Sequence, residues 1–123
     1  MELVIKKCIK CGALVEVLED CNCENCGIKC CGEKMVELKP NIEDSSIENH
    51  ITNYEIIDNE ILVKVNHVME ENHHIEWIIM VDGSNIYKKK INTKDITATF
   101  PYKKGSKIYS YCNKHGLWSN DVK

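Results

Sequence analysis

The chain has 123 residues, 43% hydrophobic and 28% charged, with a formal net charge of −3, enough for one ordinary domain or a modest domain plus a metal-stapled module. The acidic balance argues against a nucleic-acid binder, and no apolar run reaches the roughly 20 residues that a membrane span needs. Residues 1–7 lack the basic start and longer apolar stretch of a secretion signal, so the cytoplasm is the expected compartment, with neither nucleic acid nor membrane as partner.

Taken in chain order, residues 3–7 and 13–18 cluster β-branched and apolar side chains and are expected to form short strands. The first 35 or so residues are punctuated by Cys and Gly and hold too few large apolar side chains for a core of their own, so a metal is the expected staple. Lys39-Pro40-Asn41 and the polar Glu43-Asp44-Ser45-Ser46 mark a boundary, giving expected domains 1–38 and 39–123. Residues 60–66 place Ile61, Val63 and Val65 on one face, and residues 74–81 place Ile75, Trp77, Ile79 and Val81 on one face. Asp82-Gly83-Ser84-Asn85 reads as a hairpin connection into residues 86–91, and further strands fit 96–100 and 107–112. Lys88-Lys89-Lys90, the one basic run, reads as a solvated turn or edge-strand face. Short strands at this spacing, without a helical period, predict an all-β chain with a β-sandwich.

Eight cysteines are a large excess, and seven of them lie between Cys8 and Cys31. Without a secretion signal, metal ligation is a better explanation than a disulfide framework. Cys8-Ile9-Lys10-Cys11-Gly12 is a knuckle in which two thiolates chelate one tetrahedral ion while glycine eases the turn. Two partners are open for it. Cys23 and Cys26 repeat the knuckle spacing and are favoured by spacing alone, whereas the adjacent Cys30 and Cys31 need a distorted backbone to share an ion. Spacing does not decide between zinc and iron.

All five histidines follow residue 49. His67 and His73 would lie roughly 20 Å apart along a straight strand, so they share an ion only if the chain between them doubles back. Cys112-Asn113-Lys114-His115-Gly116 brings a thiolate and an imidazole together within one turn, and His50 would arrive from the linker. A lone histidine is ordinarily a surface or hydrogen-bonded residue, and a lone cysteine a small buried hydrophobe. The spacing and the number of candidates raise the metal reading, and five ligands favour iron over zinc.

The strings Lys7-Cys8-Ile9-Lys10-Cys11-Gly12 and Cys30-Cys31-Gly32-Glu33-Lys34-Met35 resemble the desulforedoxin half of desulfoferrodoxin. Glu48-Asn49-His50, the run from His67 to Trp77, and Tyr111-Cys112-Asn113-Lys114-His115-Gly116-Leu117-Trp118 resemble its superoxide reductase half, in the family's order and across nearly the whole chain. The resemblance implies a rubredoxin-like iron domain on Cys8, Cys11, Cys30 and Cys31, followed by an immunoglobulin-like sandwich. It implies a second iron with His50, His67, His73 and His115 as equatorial ligands, Cys112 as axial ligand and an open sixth position. The implied activity is one-electron reduction of superoxide to hydrogen peroxide, with Glu48 closing on the open position after turnover. A rubredoxin-like electron donor and a homodimer are implied as well.

Three departures stand out. Asn49 occupies a position where the family carries lysine, so steering of the anionic substrate should be weaker unless Lys114 or Lys64 compensates. Cys21, Cys23 and Cys26 lie in an extended loop and are open to three readings: extra thiols, a disulfide, or ligands of a rearranged first site. Val68 stands where proline is common. The competing readings are a non-catalytic zinc ribbon on Cys8, Cys11, Cys23 and Cys26 attached to a partner-binding sandwich, and an electron carrier whose second iron lacks an open position.

Overall fold

A computed structural model describes residues 2–24, 26–41 and 53–123, and among these every regular element is a β-strand. None of the described residues forms a helix long and apolar enough to cross a membrane. The chain divides into two compact units, Glu2–Lys39 and a second that runs from Pro40 to Lys123.

In the first unit β1 (Ile5–Lys7) pairs antiparallel with β2 (Leu14–Glu16) and β5 (Val36–Glu37). A separate two-stranded hairpin joins β3 (Lys29–Cys30) to β4 (Glu33–Lys34). The strands are shorter than expected from sequence, because among the described residues of this unit only Leu3, Ile5, Cys8 and Met35 are buried hydrophobics. So small a cluster cannot hold the segment by burial alone, and the four thiols described below offer a place for a metal staple.

The second unit is a sandwich of two antiparallel sheets. One has the order β10-β7-β6, from Thr97–Pro101, Glu60–Lys64 and Asn53–Ile57; the other has the order β12-β11-β8-β9, from Gly116–Asp121, Lys107–Cys112, Ile75–Val81 and Ile86–Lys90. Ile61, Val63, Ala98 and Phe100 from the first sheet meet Ile78, Met80, Ile108, Cys112 and Trp118 from the second in one core. The chain turns from β8 to β9 where Asp82 accepts the backbone N–H groups of Ser84 and Asn85 at 3.2 and 2.8 Å. These bonds, that from Asn85 foremost, hold the Asp82 carboxyl below its ordinary pKa. The triple lysine lies on β9, an edge strand, where Lys89 pairs with Asp95 at 3.0 Å.

The simple alternation read for residues 75–81 is corrected by the structure. Cys112 pairs with Ile75 but Tyr111 pairs with Trp77, so a register shift falls at Glu76. Ile75 therefore joins Ile78 and Met80 in the core, while Trp77, Ile79 and Val81 take the opposite face and are also buried. A bulge reverses the side-chain phase, and a strand buried on both faces no longer alternates apolar with polar. Trp77 stacks on Tyr111 with ring centroids 5.6 Å apart.

Candidate metal centres

The first cluster is built by two tight turns. At the knuckle, Gly12 N–H donates to the Cys8 carbonyl at 2.8 Å, Cys8 N–H donates to Ala13 at 2.9 Å, and Cys11 N–H points at the Cys8 sulfur at 3.5 Å. Gly12 has φ +81°, a conformation that glycine adopts without steric cost. The adjacent pair meets its distortion at Cys31, whose φ of +53° is left-handed and is followed by Gly32 at +80°. That turn lets both neighbours face the same point. The sulfurs of Cys8, Cys11, Cys30 and Cys31 all lie within 4.8 Å of one another, with Cys11 to Cys30 at 3.7 Å and Cys30 to Cys31 at 3.9 Å. Four sulfurs about 2.3 Å from a tetrahedral ion stand about 3.8 Å apart, so the donors fit a single iron or zinc.

Electrostatics points the same way. The Cys8 thiol is lowered to about 6, chiefly by the Cys11 backbone N–H, while Cys30 is pushed up to about 12 by its closeness to Cys11 and Cys8. Four such groups cannot all ionise side by side without a cation, and binding one releases their protons. Cys23 and Cys26, preferred on spacing alone, do not join this cluster: Cys26 is bonded to Cys21, and Cys23 is an exposed free thiol.

The second cluster lies at one end of the sandwich. β11 delivers Cys112 into the core with its side chain fully buried. The chain between His67 and His73 doubles back through paired backbone bonds between Glu70 and His73, at 2.9 and 3.3 Å, so the 20 Å separation of an extended strand never arises. His67 Nδ1 lies 2.7 Å from the Val68 carbonyl, which fixes the ring and turns Nε2 toward the Cys112 sulfur at 3.7 Å. His115 presents Nδ1 to the same sulfur at 3.8 Å. The His73 ring meets both of the others edge to face, with centroids 4.8 Å from His67 and 5.0 Å from His115. One ion bonded to sulfur at about 2.3 Å and nitrogen at about 2.1 Å sets these atoms about 3.1 Å apart at a right angle and about 4.4 Å apart in line. The two sulfur–nitrogen distances fall between those limits, and the donor atoms of His67, His73 and Cys112 all lie within 4.8 Å of one another, so the donors fit a shared ion. His50, Glu48 and Asn49 lie outside the described residues.

Asn113 is the residue that sequence reading overlooked. Its side chain accepts from His74 N–H at 2.9 Å and donates to the Asn72 carbonyl at 3.0 Å, while its own N–H reaches the His74 carbonyl at 3.2 Å. It thus ties the His73 loop to the Cys112–His115 turn. An asparagine inside a tight C-x-x-H turn was the available signal, since such side chains bond nearby backbone. Gly116, at φ +85°, then starts β12 directly after His115.

A desulfoferrodoxin family model matches residues 34–121. The chain belongs to the desulfoferrodoxin family. It is 38% identical to a desulfoferrodoxin of Syntrophotalea carbinolica over 98% of this chain and 97% of that protein. Against a desulfoferrodoxin homolog of Methanothermobacter thermautotrophicus it is 39% identical over 93% and 94% of the two chains. In fold it is similar to the superoxide reductase from Treponema pallidum, with a TM-score of 0.72, 24% identity and coverage of 98% and 99%. The match to the desulfoferrodoxin family model includes all of the second cluster and Met35, whereas Cys8, Cys11, Cys30 and Cys31 precede it.

Proposed function

We propose that this chain is a superoxide reductase with iron at both centres. The observation that carries the reading is the convergence of His67, His73 and His115 around the buried sulfur of Cys112, in a chain of the desulfoferrodoxin family. His50 is the proposed fourth imidazole, and Glu48 the carboxylate that would join the same centre. Iron held there would supply the single electron that superoxide needs, with two protons, to become hydrogen peroxide.

The chain's own groups set the direction of that transfer. Burial keeps water from the Cys112 sulfur, and a thiolate there would favour the more highly charged, oxidised state of a bound ion. The Val68 carbonyl holds the His67 ring, and Asn113 ties the loop that carries His73 to the turn that carries His115. Electron supply from a rubredoxin-like protein and a homodimeric assembly belong to the same proposal. The exposed Cys11 and Cys31, with Ile9 beside them, offer such a donor a short approach to the first centre. The zinc-ribbon alternative is disfavoured because Cys26 is held by Cys21.

Stoichiometry tests the activity directly. The iron-loaded protein, given an electron donor, should yield one hydrogen peroxide for each superoxide consumed. A yield of one for every two would mean dismutation, and a colourless zinc protein without activity would support the binding module.

Asn49 makes a second expectation specific. Asn49→Lys should raise the second-order rate with superoxide about tenfold at low ionic strength, with the gain shrinking as salt screens the added charge. An unchanged low-salt rate would show that steering by this position is absent. If Lys114→Ala then removes a steep salt dependence from the unaltered chain, the exposed Lys114 has taken over that role.

A further inference from the structure

The loop between β2 and β3 holds three cysteines that neither metal centre uses. Cys21 and Cys26 are joined in a disulfide across a sequence separation of 5, and Cys23, inside that ring, is an exposed free thiol. The Cys21 end is pinned: its N–H donates to Asp20 Oδ1 at 2.9 Å, and Asp20 Oδ2 pairs with Lys6 on β1 at 2.9 Å. The sulfur of Cys26 lies 2.8 Å from the carbonyl oxygen of Cys23, which sets it beside the residue carrying the free thiol.

A ring this short contributes little as a staple, because the constraint a disulfide places on the unfolded chain grows with loop length. Exposed disulfides are the labile ones, and a thiol held nearby lowers the entropic barrier to exchange. We propose that Cys21, Cys23 and Cys26 form a thiol–disulfide exchange site that accepts two electrons from low-molecular-weight thiols. The Cys23 thiolate attacks the Cys26 sulfur; the Cys21–Cys26 bond breaks, a Cys23–Cys26 bond forms, and Cys21 leaves as a thiolate that takes up a proton. The new bond has the C-x-x-C spacing of disulfide oxidoreductases. Two molecules of a monothiol then reduce it through a mixed disulfide and leave as one oxidised dimer, so two electrons and two protons end on the loop. Cys8, Cys11, Cys30 and Cys31 take no part, and the inference does not rest on superoxide chemistry.

The test uses the full-length, metal-loaded protein treated with millimolar reduced glutathione, quenched by alkylation and mapped by mass spectrometry. The unaltered chain should show the Cys21–Cys26 bond with a minor Cys23–Cys26 isomer. Cys23→Ser should lose the isomer and be reduced about tenfold more slowly. Cys21→Ser, oxidised with glutathione disulfide, should lock the Cys23–Cys26 bond. Visible absorption of the four-thiolate centre should be the same in all three proteins. Equal reduction rates with and without Cys23 would overturn the proposal, as would failure of Cys21→Ser to form the C-x-x-C bond. Loss of the four-thiolate absorption in Cys23→Ser would overturn it too, by making Cys23 a ligand.

Discussion

Replacing Cys112 with serine should lower the rate of superoxide reduction by about a hundredfold or more, since even groups that merely orient metal ligands are worth about 10–100-fold. The serine hydroxyl stays protonated at neutral pH and offers a neutral oxygen where the cysteine offers a charged, polarizable sulfur. The position is fully buried in the core that includes Ile108 and Trp118, so the fold must be checked alongside the rate. Cys112→Ala serves that purpose, because it removes the ligand without burying a hydroxyl. Iron content, visible spectrum and pulse-radiolysis kinetics on the three proteins separate the effects. A serine variant with unaltered rate and spectrum would end the proposal for this centre.

Cys30→Ser should have the larger effect on folding. Structural zinc ions in finger peptides contribute about 10–16 kcal/mol of apparent binding energy, and among the described residues of the unit such an ion would hold, only Leu3, Ile5, Cys8 and Met35 are buried. The expected result is loss of one metal ion per chain and rapid amide exchange over Glu2–Lys39, with the sandwich still protected. Cys26→Ser should leave both metal ions in place. Acidification of the unaltered protein should release this ion as the thiolates are protonated, and Cys30 should regain its proton early, since its thiol is pushed up to about 12 when no cation is present. Retention of the ion in Cys30→Ser with loss in Cys26→Ser would assign the ligands the other way.

Much of the sandwich was legible because its strands obey short-range rules. β11 runs over Lys107–Cys112 as its pattern predicts, and β9 and β10 differ from expectation by single residues at their ends. β12 went unread because Gly116 serves both as the end of the C-x-x-H turn and as the first strand residue. β8 was found but its facing was not, because one extra residue at Glu76 is invisible to a period-2 count.

The metal clusters divide along similar lines. Knuckle spacing reveals Cys8 with Cys11 and Cys112 with His115, since each pair is closed by a local turn. The Cys30–Cys31 pair depends on a left-handed backbone at a non-glycine residue, which composition does not announce. The approach of His73 to His67 depends on a turn through Glu70, Glu71 and Asn72 that contains neither glycine nor proline. Only the resemblance to a family linked these distant parts.

Because the four sulfurs gather at the two ends of the segment between Cys11 and Cys30, an ion held there is indifferent to how much chain spans the gap. Doubling such a span adds only about 0.6 kcal/mol of closure entropy. This stretch is thus a tolerant insertion point, where a lineage can lengthen the chain without displacing the four sulfurs at its base.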